Sequence, residues 1–245
     1  MADNDLVSRY FAVVGERRLW SSPKILHFYM KYLLGHVSLP GKTLLDIGGG
    51  SGLFDFYAVA AGAAKAVCLE PEAEGSSAGM RTRFEQLREW FGTDRVVQLP
   101  CTFQGFEPGG ERFDVVLLHN SINHVDEAAC IVLHREAAAR EAYTALFRRM
   151  FELTAPGGRL IIADCARRNL FGDLGVRNPM VPTIQWYKHQ SPRLWATLLA
   201  NAGFTNPRIR WTSFNVLGRL GAVFLRNRLA AYLLVSHFCL TMDRP

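Results

Sequence analysis

A glycine-rich loop follows a short apolar run and leads directly into an apolar segment with helical character. Leu-Leu-Asp-Ile occupies positions 44–47, and Gly48, Gly50 and Gly52 alternate along the loop. Glycine allows sharp turns and close approach of a ligand, and the start of a helix offers free N–H groups. The order strand, glycine loop, helix is therefore typical of a nucleotide site.

Two acidic residues narrow the choice of ligand. Asp46 comes just before the first glycine, and Glu70 ends the next apolar run. A carboxylate there can accept hydrogen bonds from both ribose hydroxyls of an adenosine group. The dinucleotide pattern GxGxxG would require glycine at position 53, which is Leu53, so the loop favours an adenosine ligand other than NAD.

Four residues are candidates for moving a proton. His119 and His124 lie at and just beyond the end of an apolar run, and histidine can remove a proton near neutral pH. A strand-end imidazole that bonds only to the backbone is the structural alternative for His119. Tyr187 and His189 belong to a long segment, 165–190, which is either a substrate lid or a solvated connector with aromatic anchors.

Short runs rich in β-branched residues alternate with longer helix-like segments, which predicts crossover connections between parallel strands. We expect a doubly wound α/β fold with seven strands. The predicted strands are Thr43–Ile47, Ala66–Glu70, Val96–Pro100, Phe113–His119, Arg159–Asp164, Arg208–Phe214 and Ser236–Met242; the predicted helices are Leu53–Ala61, Ser77–Phe91, Glu127–Leu153 and Pro192–Ala202.

The chain is expected to form a single domain, 1–245. Residues 1–38 predict an N-terminal helical cap of two helices, broken near Pro23, and 40–245 a Rossmann-like core. Residues 217–234 predict an inserted helix between the last two strands. That helix either packs on the protein or forms a membrane-surface contact or a homodimer face.

Composition excludes several classes of protein. The 245 residues include 49% hydrophobic ones, enough for a sizeable core, and a formal net charge of +6. The five cysteines form no CxxC pair and predict reduced thiols in a cytoplasmic protein. No apolar run reaches the ~18 residues of a membrane span, and no carboxylate or histidine cluster has metal-ligand spacing, so we predict neither a span nor a metal.

The chain resembles the class I S-adenosylmethionine-dependent methyltransferases. The motifs that carry the resemblance are LLDIGGGSGLF at 44–54, FDVVLLHNSINHVDE at 113–127, APGGRLIIAD at 155–164 and SPRLWATLLANAGF at 191–204, together with Glu70. The resemblance implies S-adenosylmethionine as cofactor and a mostly parallel sheet whose last strand is antiparallel.

The same resemblance assigns roles to individual residues. It implies that Asp46 and the three alternating glycines line the methionyl half of the cofactor, that Glu70 holds the ribose, and that Asn120 contacts the cofactor. The family often has an acidic residue after the third strand, where this chain has Pro-Cys-Thr-Phe-Gln. Thr102 and Gln104 are alternative replacements for the acid, and Phe103 either stacks on adenine or is buried.

We therefore expect a methyltransferase that acts on an oxygen or nitrogen atom of a small-molecule acceptor. Two alternatives use the same fold: an enzyme that uses the sulfonium for cyclisation or another non-methyl transfer, and a non-catalytic subunit. A basic RNA-binding methyltransferase is a third. The dispersed Lys and Arg residues and the lack of an appended RNA-binding module disfavour nucleic acid as a partner.

Overall fold

The computed structural model describes residues 2–72, 78–212, 221 and 223–245. Contacts divide the chain into two compact units, 1–119 and 120–245. The strands, which form a seven-stranded mixed sheet, are β1 Thr43–Ile47, β2 Lys65–Leu69, β3 Val96–Leu99, β4 Phe113–His119, β5 Thr154–Cys165, β6 Thr205–Thr212 and β7 His237–Asp243. The α-helices are α1 Ala2–Glu16, α2 Pro23–Leu33, α3 Leu53–Ala60, α4 Met80–Phe91, α5 Glu127–Val132, α6 Ala137–Leu153, α7 Leu170–Asp173, α8 Pro192–Asn201 and α9 Arg228–Leu233.

The first unit contains four parallel strands in the order β3-β2-β1-β4. In their register Asp46 of β1 lies beside Cys68 of β2. The last four residues of β1 and of β2 are buried, as expected for strands that are covered on both faces. Because parallel strands end at one edge, the loops after β1 and β2 lie together there.

The N-terminal cap consists of α1 and α2, as predicted. Helix α2 begins at Pro23, whose missing N–H costs nothing in the first turn. Tyr10 of α1 is buried, stacks on Phe91 with 5.1 Å between ring centroids, and donates a hydrogen bond to the Leu53 carbonyl at 3.0 Å. This bond ties the cap to the first residue of α3, directly after the glycine loop.

The second unit contains three strands in the order β5-β7-β6, with β7 antiparallel to both neighbours. The predicted α/β class with an antiparallel last strand is confirmed. Helices α6 and α8 pack together through Tyr143 and Trp195, whose ring centroids are 5.0 Å apart. Both side chains are fully buried, so this pair is a core contact.

The prediction of one helix over Glu127–Leu153 was wrong. The structure has α5 and α6 with a turn between them over 133–136. The Arg140 side chain, from the first turns of α6, donates to the carbonyls of Leu133 and His134 at 3.1 and 2.8 Å. The Arg140 side chain thus bonds to carbonyls that would accept backbone N–H groups in a continuous helix. No glycine or proline in the sequence marks the break.

The other element boundaries differ less. β5 begins at Thr154, five residues before the predicted start, and β6 covers Thr205–Thr212; residues 213 and 214 of the predicted strand lie outside the described part. Of the predicted insertion 217–234, the described part contains α9, while 217–220 and 222 lie outside it.

The cysteines are all free. Cys68, Cys130, Cys165 and Cys239 are buried, whereas Cys101, just after β3, is partly exposed. In the stretches of chain that the structure describes, no helix is long and apolar enough to cross a membrane.

Candidate active site

The loop between β1 and α3 has the backbone conformation that its glycines allow. Gly48, Gly50 and Gly52 have φ values of +74°, +60° and +75°, in the left-handed region that disfavours residues with a Cβ atom. The Gly48 amide donates to the Leu69 carbonyl at 2.8 Å, which ties the loop to the end of β2. The glycines are therefore required by the shape of the loop.

Gly49 is required for a different reason. A Cβ atom on Gly49 would lie 2.7 Å from the Cys68 sulfur and 2.8 Å from Oδ2 of Asp46. Such contacts are shorter than van der Waals distances, so any larger residue would displace the loop. Gly49 was not among the predicted site residues, because close packing beneath a loop is not visible in the spacing of residues along the sequence.

Two buried carboxyl groups lie under the loop. Asp46 and Asp55 are buried, and the Asp55 carboxyl interacts with the Asp46 carboxyl and the Cys68 thiol. Burial raises the pKa of Asp46 well above its usual value, and the neighbouring Asp55 and Glu70 charges raise it further. Burial likewise raises the pKa of Asp55 to about 7. Both shifts favour the protonated carboxyl groups, and Asp55 was not among the predicted site residues.

Glu70 lies just past β2, as predicted, and is buried at the loop. Its Oε2 accepts a hydrogen bond from the Gly50 amide at 2.8 Å. Burial raises the pKa of the Glu70 carboxyl, and the bond from Gly50 opposes that effect. Gln98 of β3 donates to the Gly50 carbonyl at 2.7 Å, a contact that the sequence did not reveal. These two hydrogen bonds thus tie the glycine loop to Glu70, just past β2, and to Gln98 of β3.

This acidic site favours a cationic ligand. Asp46, Asp55 and Glu70 gather around the glycine loop of a chain whose formal net charge is +6. S-adenosylmethionine has a positively charged sulfonium and an ammonium group, and either is stabilised by nearby carboxylates. The loop without Cβ atoms and the acidic residues around it therefore fit the cofactor that the resemblance implies.

The residues predicted near adenine have different environments. Phe103 is 3% exposed, and its burial favours the core alternative over stacking on a ligand. Thr102 is exposed, and its hydroxyl accepts from the Gly105 amide at 3.2 Å. Asn120, in the second unit, is exposed with φ +53°, and its amide donates to the Ala163 carbonyl at 2.8 Å.

His119 ends β4 within an aromatic cluster of the first unit. Its Nε2 lies 2.6 Å from the Tyr29 hydroxyl, and its ring centroid is 4.6 Å from that of Phe54. Phe54 is the second residue of α3, so the imidazole lies close to the helix that follows the glycine loop. Trp20 packs on both Tyr29 and Phe54. Tyr29 was not predicted, since nothing in sequence pairs residues 90 positions apart.

His124 and Glu127 form an exposed pair in the second unit. His124 Nδ1 lies 3.0 Å from Glu127 Oε2, and Lys188 Nζ lies 2.7 Å from Oε1 of the same carboxyl. The bond from Lys188 lowers the pKa of Glu127. Because Lys188 belongs to the 165–190 segment, these contacts fix the end of that segment to the start of α5. They support a structural role for His124.

Tyr187 and His189 flank Lys188 but differ in their surroundings. Tyr187 is half-exposed and bonds to Gln185, while its carbonyl accepts from Arg167 at 2.7 Å. His189 Nδ1 lies 3.2 Å from Oδ1 of the buried Asp164, too poorly aligned for a hydrogen bond. His189 thus has a carboxylate neighbour, whereas the Tyr187 hydroxyl donates to the Gln185 side chain.

No group of three or more His, Cys, Asp or Glu side chains is arranged to hold a metal ion in the ranges that the structure describes.

Comparisons with known proteins agree with this geometry. A model of the methyltransferase domain family matches residues 22–208. Similar solved structures include a proposed S-adenosylmethionine-dependent methyltransferase from Listeria monocytogenes, 13% identical, TM-score 0.61, with 91% of this chain and 98% of that chain covered. An S-adenosylmethionine-dependent methyltransferase from Mesorhizobium loti is 16% identical, with TM-score 0.57 and coverage of 89% and 98%.

A cyclopropane synthase from Mycobacterium tuberculosis is 17% identical, with TM-score 0.60 and coverage of 91% and 85%. At these identities the structural matches show the fold alone. No match was found among the curated proteins with which the chain was compared. The family match spans more than half of the chain and agrees with the glycine loop and its acidic residues: the chain belongs to the methyltransferase domain family, as an enzyme that uses S-adenosylmethionine.

Proposed function

We propose that this methyltransferase transfers the methyl group to an oxygen or nitrogen atom of a small-molecule acceptor, with His119 as the group that takes the acceptor's proton. The contact between His119 Nε2 and the Tyr29 hydroxyl, 2.6 Å, carries the proposal. It fixes the ring at the end of β4, beside the helix that begins after the glycine loop.

In the proposed mechanism Glu70, Asp46 and the glycine loop hold the cofactor, which supplies an electrophilic methyl group on its sulfonium. Transfer is an in-line displacement, so the chain contributes mainly by orienting the acceptor. In this proposal a ring nitrogen of His119 receives the proton, while the contact with the Tyr29 hydroxyl holds the ring in place. The hydrogen bond to Tyr29 persists in the resulting imidazolium and stabilises it.

The test is a His119→Gln variant in an acceptor screen that measures S-adenosylhomocysteine. We expect the rate to fall by about 10²-fold or more, the usual contribution of general base catalysis. Calorimetric titration should give S-adenosylmethionine affinity within about 2-fold of the parent protein, a difference well under the 1.4 kcal/mol that corresponds to tenfold. His124→Gln is the matched control, because His124 is exposed and held by Glu127.

Full activity in His119→Gln would refute the base role. Release of methylthioadenosine in place of S-adenosylhomocysteine would refute methyl transfer and favour the non-methyl-transfer alternative. No turnover with any acceptor, despite cofactor binding, would favour a non-catalytic subunit.

A small molecule is preferred to RNA as acceptor because the basic side chains are dispersed and several are paired with acids. Lys42 pairs with Asp114 at 2.8 Å, and Lys65 pairs with Glu111 at 2.9 Å. A filter-binding assay should show no submicromolar, steeply salt-dependent affinity for RNA. Sedimentation velocity distinguishes a monomer from the homodimer that is one of the alternatives for residues 217–234.

A further inference from the structure

A pocket of about 540 Å³ lies in the second unit, and none of the residues that line it was assigned a role above toward the cofactor or the acceptor. Ala166 follows β5, Trp211 is in β6 and Ser236 precedes β7, so the pocket opens where β5 and β6 end and β7 begins. Its volume is within the ~300–1,000 Å³ of typical small-molecule sites. Size and position are those of a binding site.

The pocket is lined by three arginines, and two of them have no counter-charge. Arg168 pairs with Asp173 at 2.7 Å. Within the described ranges, no hydrogen bond or ion pair engages the guanidinium of Arg193 or of Arg228. No carboxylate belongs to the described lining either. Arginine binds carboxylate and phosphate oxygens in a bidentate manner, so the pocket favours an anion.

The other walls are apolar and include two aromatic rings. Trp211, Tyr232, Leu229 and Pro192 line the pocket, and Leu229 is 67% exposed. When a ligand covers an apolar side chain that is so exposed at the mouth of the pocket, burial of its surface stabilises the complex. The ligand that matches these walls has an apolar, preferably flat, body attached to its anionic group.

The pocket is preformed. Asn169, fully buried behind it, donates to the carbonyls of Tyr232 and Leu234 at 3.0 Å, which fixes the end of α9. The Ser236 hydroxyl donates to the Arg168 carbonyl at 2.7 Å, and the Tyr232 hydroxyl donates to Asp173 at 3.0 Å. Binding therefore requires little ordering of the wall that Tyr232 and Ser236 form, and such preorganisation raises affinity.

We propose that this pocket binds a small organic anion with an aromatic or other apolar body, held by Arg193 and Arg228 and packed on Trp211. The site goes beyond the proposed function and does not depend on it, since binding needs neither cofactor nor methyl transfer. The anionic group is a carboxylate or a phosphate ester, which two guanidinium groups bind equally well by geometry.

The test is calorimetric titration of the whole protein with 2-naphthoate, with 2-naphthyl phosphate and with the neutral 2-naphthalenemethanol. We expect at least one of the two anions to bind about 10-fold or more tightly than the alcohol, the scale of a lost charge-assisted hydrogen bond. Quenching of tryptophan fluorescence should accompany binding and be reduced in Trp211→Phe. The ratio of the two anion affinities identifies the preferred anionic group.

Arg193→Gln and Arg228→Gln should each weaken anion binding by about 5-fold or more while leaving the weak binding of the alcohol unchanged. Arg148→Gln is the matched control, because Arg148 is an exposed residue of α6 outside the pocket. Circular dichroism establishes that each variant is folded.

Equal affinity for anions and alcohol, or an equal loss in Arg148→Gln, would overturn the proposal. If the protein sediments with phosphatidylglycerol vesicles but binds neither soluble anion, the proposal is overturned in favour of a membrane surface as the partner. Because the readout is binding, failure of the methyl-transfer assay leaves this result unaffected.

Discussion

At the scale of single residues, the buried carboxyl pair beneath the glycine loop links stability to pH. Asp55 in the unfolded chain ionises near pH 3.8, whereas burial raises its pKa to about 7 in the folded protein. Between those values the folded state binds more protons than the unfolded state. The free energy of unfolding therefore decreases as pH rises through this window, and does not change further above it on account of this group.

Asp55→Asn should remove this dependence. Relative to the parent protein, its free energy of unfolding should increase by more than about 1 kcal/mol between pH ~4 and pH ~7, measured by urea denaturation. Asp94→Asn, at an exposed position of the same unit, should show no such trend. If the free energy of unfolding changes with pH in the same way in Asp55→Asn and in the parent protein, the raised pKa of Asp55 is contradicted.

Glu70 gives a second residue-scale prediction. Its carboxyl lies at the glycine loop, where the ribose of the cofactor is expected, so Glu70→Ala should weaken S-adenosylmethionine binding by more than ~1 kcal/mol, the scale of a lost hydrogen bond to a charged group. Calorimetric titration measures this change, with the exposed Glu89→Ala of α4 as control. Unchanged affinity would refute the ribose role.

At the scale of elements, a short helix is held at its carboxyl end by two buried side-chain amides. Helix α9 has six residues, too few to be stable alone, and the Asn169 side chain accepts none of its N–H groups but donates to the carbonyls at its end. The Asn178 side chain donates to the Leu234 carbonyl as well, at 2.6 Å. Two buried asparagines therefore position this element.

Asn169→Ala removes the side-chain donor to the Tyr232 carbonyl, whereas the Leu234 carbonyl keeps the bond from Asn178, and it should lower the free energy of unfolding by about 1–3 kcal/mol. Asn201→Ala, at the exposed end of α8, provides the control and should change it by less than ~0.5 kcal/mol. Urea denaturation gives both values, and hydrogen exchange should show faster opening of α9 in Asn169→Ala. An equal effect of the two substitutions would contradict the role of the buried amide.

The same scale shows what the sequence can predict. The glycine loop, Glu70 and the strands around them were predicted because turns, acids and apolar runs are local signals, and the strand β4 was predicted to the residue. The break between α5 and α6 was missed because no glycine or proline marks it; its carbonyls bond to the Arg140 side chain, a contact that the sequence pattern does not show. The Tyr29–His119 contact and the burial of Asp55 depend on tertiary packing, which spacing does not encode.

At the scale of the whole molecule, the distribution of charge matters more than its sum. The formal charge is +6, yet carboxyl groups surround the glycine loop, and unpaired arginines line the pocket beside α9. Each local field selects a ligand of the opposite sign, irrespective of the net charge. The two sites should accordingly respond in opposite directions to the charge of a ligand.

Because the cysteines differ in burial, one reporter group can be attached to the native protein at a single position. Four thiols are buried, and Cys101, which adjoins Thr102, is partly exposed. Burial raises the pKa of the Cys101 thiol, so alkylation should be slow at neutral pH and faster in mild alkali. Mass spectrometry should find a single maleimide adduct on the native protein and five after denaturation. A fluorophore attached in this way, without any engineered cysteine, would report cofactor binding from the turn after β3.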